Sequence, residues 1–432
     1  RSASDDEPIQ TAAVPLGVAP LAEPRPVEPD SPFGVVAHLN RMSDAEREHT
    51  VQLMARAGVR WAREGFLWDA IEPAEGQFDW ATYDHLVDTC QRYGISVLPV
   101  LAYGTTWAAS DPEHGGSAAG RTTAPRLDAW RRYVEAVARR YGDRIRVWEV
   151  WNEPNSTTFF RPAPGMSRAD SYAQLLAAAY ETLKRVDPEA KVMIGGFTPK
   201  HWLPDQPHLH EATFMEAIYR QQPVPFDILG YHPYTAPHTE TTNRASVEKY
   251  LRLPGPCWEA MRAHGEEGKP TWMTEMGTPT MSFMSADRAA EYLVVLYVTG
   301  MADPRIEKNF WYDFRDDGTD PKNKEHHFGL LRHDGAPKPG YLAYYTLTRL
   351  LEGAAFVDRQ EHDGAAIHRF QTPDGQVLVV WAQGDESASL TLETGGSSAQ
   401  VLGVTGGPVD FEQEAGVLKL TATPSPTFVI LH

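Results

Sequence analysis

Short apolar runs alternate with amphipathic segments from residue 33 to about residue 350. Eight runs have the length and the β-branched or aromatic content of buried strands, and they lie at 33–39, 59–66, 95–102, 146–151, 191–197, 226–232, 270–275 and 308–314. Helical periodicity occurs at 44–57, 80–93, 126–140, 169–186, 211–221, 244–251, 286–299 and about 340–352. Strands that alternate with helices indicate parallel βα units, and eight such units predict a (β/α)8 TIM barrel.

The ends of the predicted helices carry recognisable residues. Asp44 and Asp170 are predicted as N-terminal caps, and Gly58 and Gly94 as helix stops. A doubly wound open sheet is the alternative fold. Such a sheet usually has a Gly-rich phosphate-binding turn after its first strand, whereas here the first strand leads into HLNRMSD.

The pattern changes after the last predicted helix. Short alternating runs follow, separated by turns such as PDG at 373–375 and GG at 395–396. This pattern predicts a small antiparallel β-sandwich with a structural role and one buried face. The predicted domains are a flexible leader or linker rich in Pro, Ala, Glu and Asp, the barrel, and the sandwich, at 1–31, 32–353 and 354–432.

The composition excludes several classes of protein. With 40 basic and 58 acidic residues the formal charge is −18, which makes a nucleic-acid partner unfavourable. No apolar run approaches the roughly 18 residues of a membrane span. Only Cys90 and Cys257 are present, and we expect free buried thiols, although the sequence leaves a bridge open.

The chain begins with Arg1 rather than Met. Export followed by signal cleavage is one explanation and trimming is the other. A Pro- and Ala-rich leader, together with this start, would favour a secreted or periplasmic location. The pattern predicts no particular oligomeric state.

Candidate catalytic residues lie at the ends of two predicted strands. In a (β/α)8 barrel the active site lies at the carboxyl ends of the strands. Glu153 follows the fourth strand and Glu275 ends the seventh, so the two carboxylates should face each other across the barrel mouth. Two facing carboxylates in unequal surroundings are what glycoside hydrolysis requires. Arg63 on the second strand is expected to keep Glu275 ionised.

Each of these residues also has a structural interpretation. A single Glu at a strand end is most often a surface or ion-paired carboxylate, and Glu149 is the example here. His232 alone would more often be a structural histidine, and Trp311 alone a core residue. The presence of Glu153 and Glu275 at matching strand ends favours the catalytic interpretation.

The motif VWEVWNEPN (147–155), with TWMTEMG (271–277) and LWDAIEPAEGQFDW (67–80), resembles glycoside hydrolase clan A. Within the clan the sequence most resembles family 39, which includes β-xylosidases, α-L-iduronidases and bacterial endoglycosidases acting on exopolysaccharides. The resemblance covers about 33–350, and the C-terminal sandwich also fits that family.

The resemblance implies a role for each matching residue. Glu153 would be the acid/base, Glu275 the nucleophile, and Asn152 the ligand of the sugar 2-hydroxyl. The other implied substrate-binding residues are Arg63, His232, Tyr234 and Trp311, with His38 and Trp107 as further sugar contacts.

These observations lead to the hypothesis of a retaining glycoside hydrolase acting on an oligo- or polysaccharide. A transglycosylase with the same residues and an inactive carbohydrate-binding protein are the alternatives. No cofactor or metal is predicted, because H-E-x-x-H, Walker A, G-x-G-x-x-G and G-x-S-x-G motifs are absent. The cluster Glu325-His326-His327 is expected to be solvated or to face substrate. The glycosylation sequon at 155–157 is interpreted as a chance occurrence.

Overall fold

The computed structural model describes residues 23–111, 121–199, 206–234 and 251–432. One sheet contains eight parallel strands, β1 (Phe33–Val36), β2 (Trp61–Phe66), β3 (Ser96–Leu101), β4 (Val147–Val150), β5 (Lys191–Ile194), β6 (Leu229–Tyr231), β7 (Thr271–Met276) and β8 (Ile306–Trp311). Their order is β5-β4-β3-β2-β1-β8-β7-β6. Isolated bridges join the edges formed by β5 and β6, at Met193–Ile228 and Phe197–Tyr231, so the sheet is nearly closed. The predicted barrel is confirmed.

A helix follows each strand. These are α1 (Asp44–Arg56), α2 (Ala81–Arg92), α3 (Leu127–Tyr141), α4 (Arg168–Val186), α5 (Glu211–Tyr219), α6 (Gly255–Ala263), α7 (Ala286–Met301) and α8 (Pro339–Leu351). Helix α6 was not predicted, and the predicted helix at 244–251 lies outside the described residues except for Leu251, which is in a turn. Among the helices of the described ranges, none has both the length and the apolar character to cross a membrane.

The N-terminal caps of two helices lie one and three residues before the predicted ones. Asp44 is the first residue inside α1, and Asp170 lies in the first turn of α4. The N-terminal caps are Ser43 and Ser167, whose hydroxyls accept hydrogen bonds from backbone N–H groups of the first turn. Serine suits this position because its short side chain reaches those N–H groups, so the predicted Asp caps are wrong.

The predicted helix stops and thiols are confirmed. Helices α1 and α2 end just before Gly58 and Gly94, which have positive φ angles of 85° and 72°. Glycine adopts this conformation at no steric cost, which allows the chain to leave the helix. Cys90 in α2 and Cys257 in α6 are free and buried.

The barrel interior has an apolar layer and a polar layer. The apolar layer consists of Trp61, Leu98, Val147, Met193, Ile228, Trp272 and Phe310. Side chains two positions further along a strand point to the same side. Arg63, Glu149 and Thr274 therefore also point inward, nearer the carboxyl ends, and all three are buried. The polar layer forms the floor of the barrel mouth.

Residues 23–31, the last part of the predicted leader, form no helix or strand. They nevertheless contact the barrel. Arg25 Nη2 donates to the carbonyl oxygen of Ala55 at 3.0 Å, and the carbonyl oxygen of Pro29 accepts from Trp61 Nε1 at 3.1 Å. These hydrogen bonds place the end of the predicted leader against the barrel.

The C-terminal residues form two antiparallel sheets. The strands are β9 (Ala355–His362), β10 (Ala365–Thr372), β11 (Gly375–Ala382), β12 (Ala388–Glu393), β13 (Ala399–Gly403), β14 (Glu412–Glu414), β15 (Val417–Ala422) and β16 (Thr427–Leu431). One sheet has the order β13-β16-β11-β10-β9 and the other β12-β15-β14.

The larger sheet is buried on both faces, not on one as predicted. Val379 and Phe428 belong to the same apolar core as the barrel. Val380 points the other way and packs with Leu390 and Leu420 of the smaller sheet. The alternation of apolar and polar residues did not predict this second buried face. The barrel covers that face, and the barrel residues that do so lie far away in the sequence.

Replacing Phe428 tests the packing between sheet and barrel. Phe428 is fully buried, so Phe428→Ala should lower the free energy of unfolding by about 3–5 kcal/mol, seen as a lower denaturant midpoint. Phe411 is 36% exposed and provides the matched control, since Phe411→Ala should change little. Equal effects of the two substitutions would contradict the packing described here.

Candidate active site

One buried guanidinium connects the acidic groups at the barrel mouth. Arg63 Nε donates to Glu149 Oε2 at 2.7 Å, and Nη2 donates to Glu149 Oε1 at 3.0 Å. Arg63 Nη1 donates to Glu275 Oε1 at 2.5 Å, and Nη2 also donates to Asn152 Oδ1 at 2.9 Å. Arg63 therefore fixes side chains from β4, from β7 and from the turn after β4 in one arrangement.

Glu149 has the structural role that was considered for it. Its side chain is fully buried and forms a two-oxygen ion pair with Arg63. Its Oε1 also accepts a hydrogen bond from the backbone N–H of Gly196 at 2.9 Å. These contacts compensate the burial of the carboxylate and orient the guanidinium toward Glu275.

Glu275 and Glu153 approach each other across the mouth. One carboxylate oxygen of each lies within 4.8 Å of the other and of a nitrogen of His232. His232 Nδ1 is 2.9 Å from Glu153 Oε1 and 3.6 Å from Glu275 Oε2. Tyr234 donates its hydroxyl hydrogen to Glu275 Oε2 at 3.4 Å. The facing pair predicted from the strand ends is therefore present.

The turn after β4 aims Glu153 into the mouth. Trp151 and Glu153 both have positive φ angles, 71° and 42°. This conformation is uncommon for residues other than glycine and is held here by the surrounding structure. The indole of Trp151 is fully buried, and its Nε1 donates to the carbonyl oxygen of Phe159 at 2.9 Å.

The two glutamates have different electrostatic surroundings. Burial, followed by the negative charge of Glu275, raises the pKa of Glu153 to about 8. Burial also raises the pKa of Glu275, but the charge of Arg63 and hydrogen bonds from Arg63 and Tyr234 act in the opposite direction. Glu275 is thus the carboxyl whose ionised form receives direct stabilisation.

His232 supports Glu153 as a neutral ring. Burial and the charge of Arg63 lower the pKa of His232 well below its ordinary value. Its Nε2 has no hydrogen-bond partner among the described residues. Nδ1 can therefore donate to an ionised Glu153 or accept from a protonated one, depending on the tautomer. A Cβ at Gly196 would lie 2.1 Å from this ring, so glycine makes room for it.

A cavity of about 610 Å³ opens above the glutamate pair. Six of the predicted site residues line it, namely His38, Arg63, Asn152, Glu153, Tyr234 and Glu275. Other lining residues include Asn40, Arg41, Tyr103, Phe159, Thr198, Tyr312, Lys324, Glu325 and Phe328. The cavity thus combines the facing carboxylates with polar groups and aromatic rings.

Three predicted substrate-binding residues do not line the cavity. His232 lies behind the carboxylates. Trp311 is 2% exposed, and its Nε1 donates to the carbonyl oxygen of Phe328 at 3.2 Å. Trp107 donates from Nε1 to the carbonyl oxygen of Glu72 at 3.1 Å. Both indoles thus make structural contacts.

Three aromatic residues that the sequence did not predict as site residues line the cavity, namely Tyr103, Phe159 and Tyr312. Tyr103 follows β3, and its hydroxyl accepts a hydrogen bond from Asn152 Nδ2 at 3.2 Å. The rings of Tyr103 and Phe159 stack at 6.1 Å with an interplanar angle of 10°. Tyr312 directly follows Trp311 at the end of β8. Tyr103 lies two residues beyond β3 and Tyr312 one residue beyond β8, so position at a strand end is the signal that could have identified them.

The two remaining sequence clusters have clear positions. Glu325 lines the cavity, in agreement with a solvated or substrate-facing cluster. His327 Nε2 lies 2.8 Å from the carbonyl oxygen of Asp320 and stabilises the same loop. Asn155 is buried, and its Nδ2 donates to the carbonyl oxygen of Thr198 at 2.8 Å, so this sequon serves the fold.

The family model of glycosyl hydrolase family 10 matches residues 28–254, slightly more than half of the chain. The chain belongs to glycosyl hydrolase family 10. The clan A resemblance is confirmed, although the matching family model is that of family 10 and not of family 39. The matched part of this family 10 chain contains Glu153 and His232 and ends before Glu275.

Two β-xylosidases are among the individual relatives of this chain. A β-xylosidase from Caldicellulosiruptor saccharolyticus is 24% identical over 63% of this chain and 57% of its own length. A β-xylosidase from Geobacillus stearothermophilus is 32% identical over 31% of this chain and 27% of its own length. The family 10 chain thus spans less than two thirds of the length of these relatives.

Solved structures share the fold at low sequence identity. A family 39 glycoside hydrolase from Bacteroides cellulosilyticus WH2 has a TM-score of 0.72 at 23% identity, covering 95% of this chain and 83% of that one. A monomeric β-xylosidase from Caulobacter crescentus CB15 has a TM-score of 0.66 at 17% identity, covering 95% and 98%.

The raised pKa of Glu153 predicts a pH-dependent gain in stability for Glu153→Gln. Between pH 4.5 and about pH 8 this carboxyl is ionised in the unfolded chain but protonated in the folded protein. The free energy of unfolding of the wild type therefore falls as the pH rises through this range. Each unit of pKa shift corresponds to about 1.4 kcal/mol. The denaturant midpoint of Glu153→Gln should therefore exceed that of the wild type, and the difference should grow between pH 4.5 and about pH 8 and then stay constant.

Glu135 provides the control for that measurement. It is on the exposed side of α3, where Arg139 lowers its pKa. Glu135→Gln should give no gain with rising pH. A constant difference between wild type and Glu153→Gln at all pH values would contradict the raised pKa of Glu153.

Proposed function

We propose that the protein is a retaining glycoside hydrolase that cleaves glycosidic bonds of an oligo- or polysaccharide by double displacement. The observation that carries this proposal is the approach of Glu153 and Glu275 oxygens to within 4.8 Å. Retaining enzymes hold their carboxyl groups about 5–5.5 Å apart, whereas inverting enzymes need about 6.5–9.5 Å to admit a water. The short separation favours retention.

The surroundings of the two carboxyl groups assign their roles. Glu275 is paired with Arg63 and accepts a hydrogen bond from Tyr234, which favours its ionised, nucleophilic form. The pKa of Glu153 is raised to about 8, so at neutral pH this side chain holds a proton that it can donate. The neutral ring of His232 accommodates both states of Glu153.

The reaction then proceeds in two steps. Glu275 attacks the anomeric carbon, the glycosidic bond breaks, and Glu153 gives its proton to the leaving oxygen. Burial is the largest cause of the raised pKa of Glu153, and the charge of Glu275 is the second. The ester formed on Glu275 carries no charge, so this second cause disappears and the pKa of Glu153 falls. Glu153 then removes a proton from water, whose oxygen attacks the anomeric carbon and releases Glu275 as a carboxylate.

Asn152 is suited to hold the sugar beside the nucleophile. Its Oδ1 accepts from Arg63 and its Nδ2 donates to Tyr103, so its amide orientation is fixed. A hydrogen bond from this amide to the sugar 2-hydroxyl would strengthen in the transition state. The stacked rings of Tyr103 and Phe159 offer an apolar wall for a sugar face.

We propose β-xylosides as the first substrate class to test. Relatives of this chain carry the names β-xylosidase and endo-1,4-β-xylanase. The cavity of about 610 Å³ lies in the range of small-molecule sites, about 300–1,000 Å³. A panel of nitrophenyl glycosides and xylo-oligosaccharides identifies the preferred sugar, and an absence of cleavage across the panel would count against the proposed hydrolase.

A mechanism-based label should mark Glu275. A 2-fluoro glycoside of the preferred sugar with a good leaving group forms the glycosyl-enzyme but hydrolyses it slowly, so the covalent intermediate accumulates. Mass spectrometry of peptic peptides should place the label on Glu275, and Glu275→Gln should remain unlabelled. A label on Glu153, or an inverted first product in NMR, would refute the assignment.

The pH profile should separate the two glutamates. For the wild type, kcat/KM should fall as pH rises through about 8, because Glu153 loses the proton it must donate. The acidic limb should reflect ionisation of Glu275. With an activated aryl glycoside, the first step of Glu153→Ala needs little acid assistance and should lose the alkaline limb while keeping the acidic one. An unchanged alkaline limb in this variant would contradict the assigned role of Glu153.

A further inference from the structure

A second group of metal-ligating side chains lies beside the catalytic pair. It consists of His38, which follows β1, and Asp313 and Asp317, which follow β8. One potential ligand atom of each lies within 4.8 Å of the other two. The two-step reaction described above uses neither aspartate, so the group needs a separate explanation.

Asp313 is the most unusual member of the group. The residue is fully buried, and neither carboxylate oxygen has a hydrogen-bond partner among the described residues. Burying an ionised carboxylate without a partner is costly, so such a group either holds a proton, as the burial that raises the pKa of Asp313 allows, or pairs with a cation or a metal. The side chain therefore points to a ligand that the polypeptide itself does not supply.

The nearest basic side chains are committed elsewhere. Lys338 Nζ donates to Asp316 Oδ1 at 2.7 Å, to Thr280 Oγ1 at 2.9 Å and to the carbonyl oxygen of His327 at 3.1 Å. These three bonds use all the hydrogens of the ammonium group. Arg41 Nη1 donates to Asp317 Oδ1 at 3.0 Å. Neither cation hydrogen-bonds to Asp313.

His38 offers a matching ligand atom. Its Nε2 is buried and has no hydrogen-bond partner within the described ranges, and it lies 3.9 Å from Asp317 Oδ2. A neutral imidazole nitrogen with a free lone pair is the commonest protein ligand of transition metals. Asp317 Oδ2, the oxygen that does not accept from Arg41, is the third ligand atom. The set therefore consists of one imidazole nitrogen and two carboxylates.

We propose that His38, Asp313 and Asp317 bind a divalent transition-metal ion such as Zn²⁺ at the wall of the cavity. In the tetrahedral arrangement that Zn²⁺ prefers, ligand atoms at about 2.0–2.2 Å from the ion lie roughly 3.3–3.6 Å apart. His38 Nε2 and Asp317 Oδ2 are 3.9 Å apart, and all three ligand atoms lie within 4.8 Å of one another, so side-chain rotations of about an ångström would complete the site. The carboxylates of Asp313 and Asp317 supply negative charge to the ion, and Asp317 shares its charge with Arg41. The imidazole favours Zn²⁺ over Ca²⁺ and Mg²⁺, which prefer oxygen ligands.

The ion would stabilise one wall of the cavity. His38 lines the cavity and meets the ring of Tyr312 edge-on, with centroids 5.7 Å apart. A metal bound to His38 and Asp313 would link the residues after β1 to those after β8. No sequence motif announces this site, because its first and second ligands are 275 residues apart.

The test is metal binding by untagged, EDTA-treated protein. Equilibrium dialysis with Zn²⁺ should give one tight equivalent, and Co²⁺ in its place should give visible absorption bands of a bound ion. Asp313→Asn and Asp317→Asn should each weaken binding at least tenfold and remove the Co²⁺ bands. Zn²⁺ should also raise the melting temperature of the wild type but not of these variants.

Asp320→Asn is the matched control, since it removes a carboxylate from the exposed part of the same loop and should bind as the wild type does. If Asp313→Asn fails to fold, Asp317→Asn decides, because its side chain is partly exposed. Wild-type protein without a tight equivalent, or tight binding that both variants retain, would overturn the proposal. Either result is independent of whether the protein cleaves glycosides.

Discussion

The ion-pair network of Arg63 is the interaction on which the site depends. A guanidinium buried at the barrel mouth must be neutralised, and Glu149 does this with two oxygens. The remaining hydrogen-bonding capacity is directed at Glu275 and Asn152. Arg63, Glu149 and Glu275 lie on three different strands, so the site requires that β2, β4 and β7 occupy their places in the barrel. Loss of this one side chain would leave two buried carboxylates without their cation.

The network also makes the two glutamates unequal. Glu275 forms an ion pair with Arg63. Glu153 instead contacts the neutral ring of His232 and lies close to the negative charge of Glu275. Burial acts on both carboxyl groups, so the difference between them comes from neighbours and not from depth. An acid and a nucleophile thus arise from the same residue type a few ångströms apart.

The surroundings of the barrel serve the mouth indirectly. Residues 25–29 contact the barrel near the start of β2, and the larger C-terminal sheet extends the barrel core through Val379 and Phe428. The loop after β8 brings Glu325 to the cavity and Asp313 and Asp317 close to His38. The loops above the strand ends therefore carry chemistry, while the other contacts carry stability.

The sequence by itself determined the barrel, its eight strands and the pair Glu153 and Glu275, because strand periodicity and residues at strand ends are local signals. It also indicated Arg63 as the partner of Glu275. Only the tertiary structure decided that Trp311 and Trp107 turn into the protein while Tyr312 faces the cavity. It likewise decided the second buried face of the sandwich sheet and the meeting of His38 with Asp313. These outcomes depend on contacts between residues far apart in the chain, and periodicity carries no information about them.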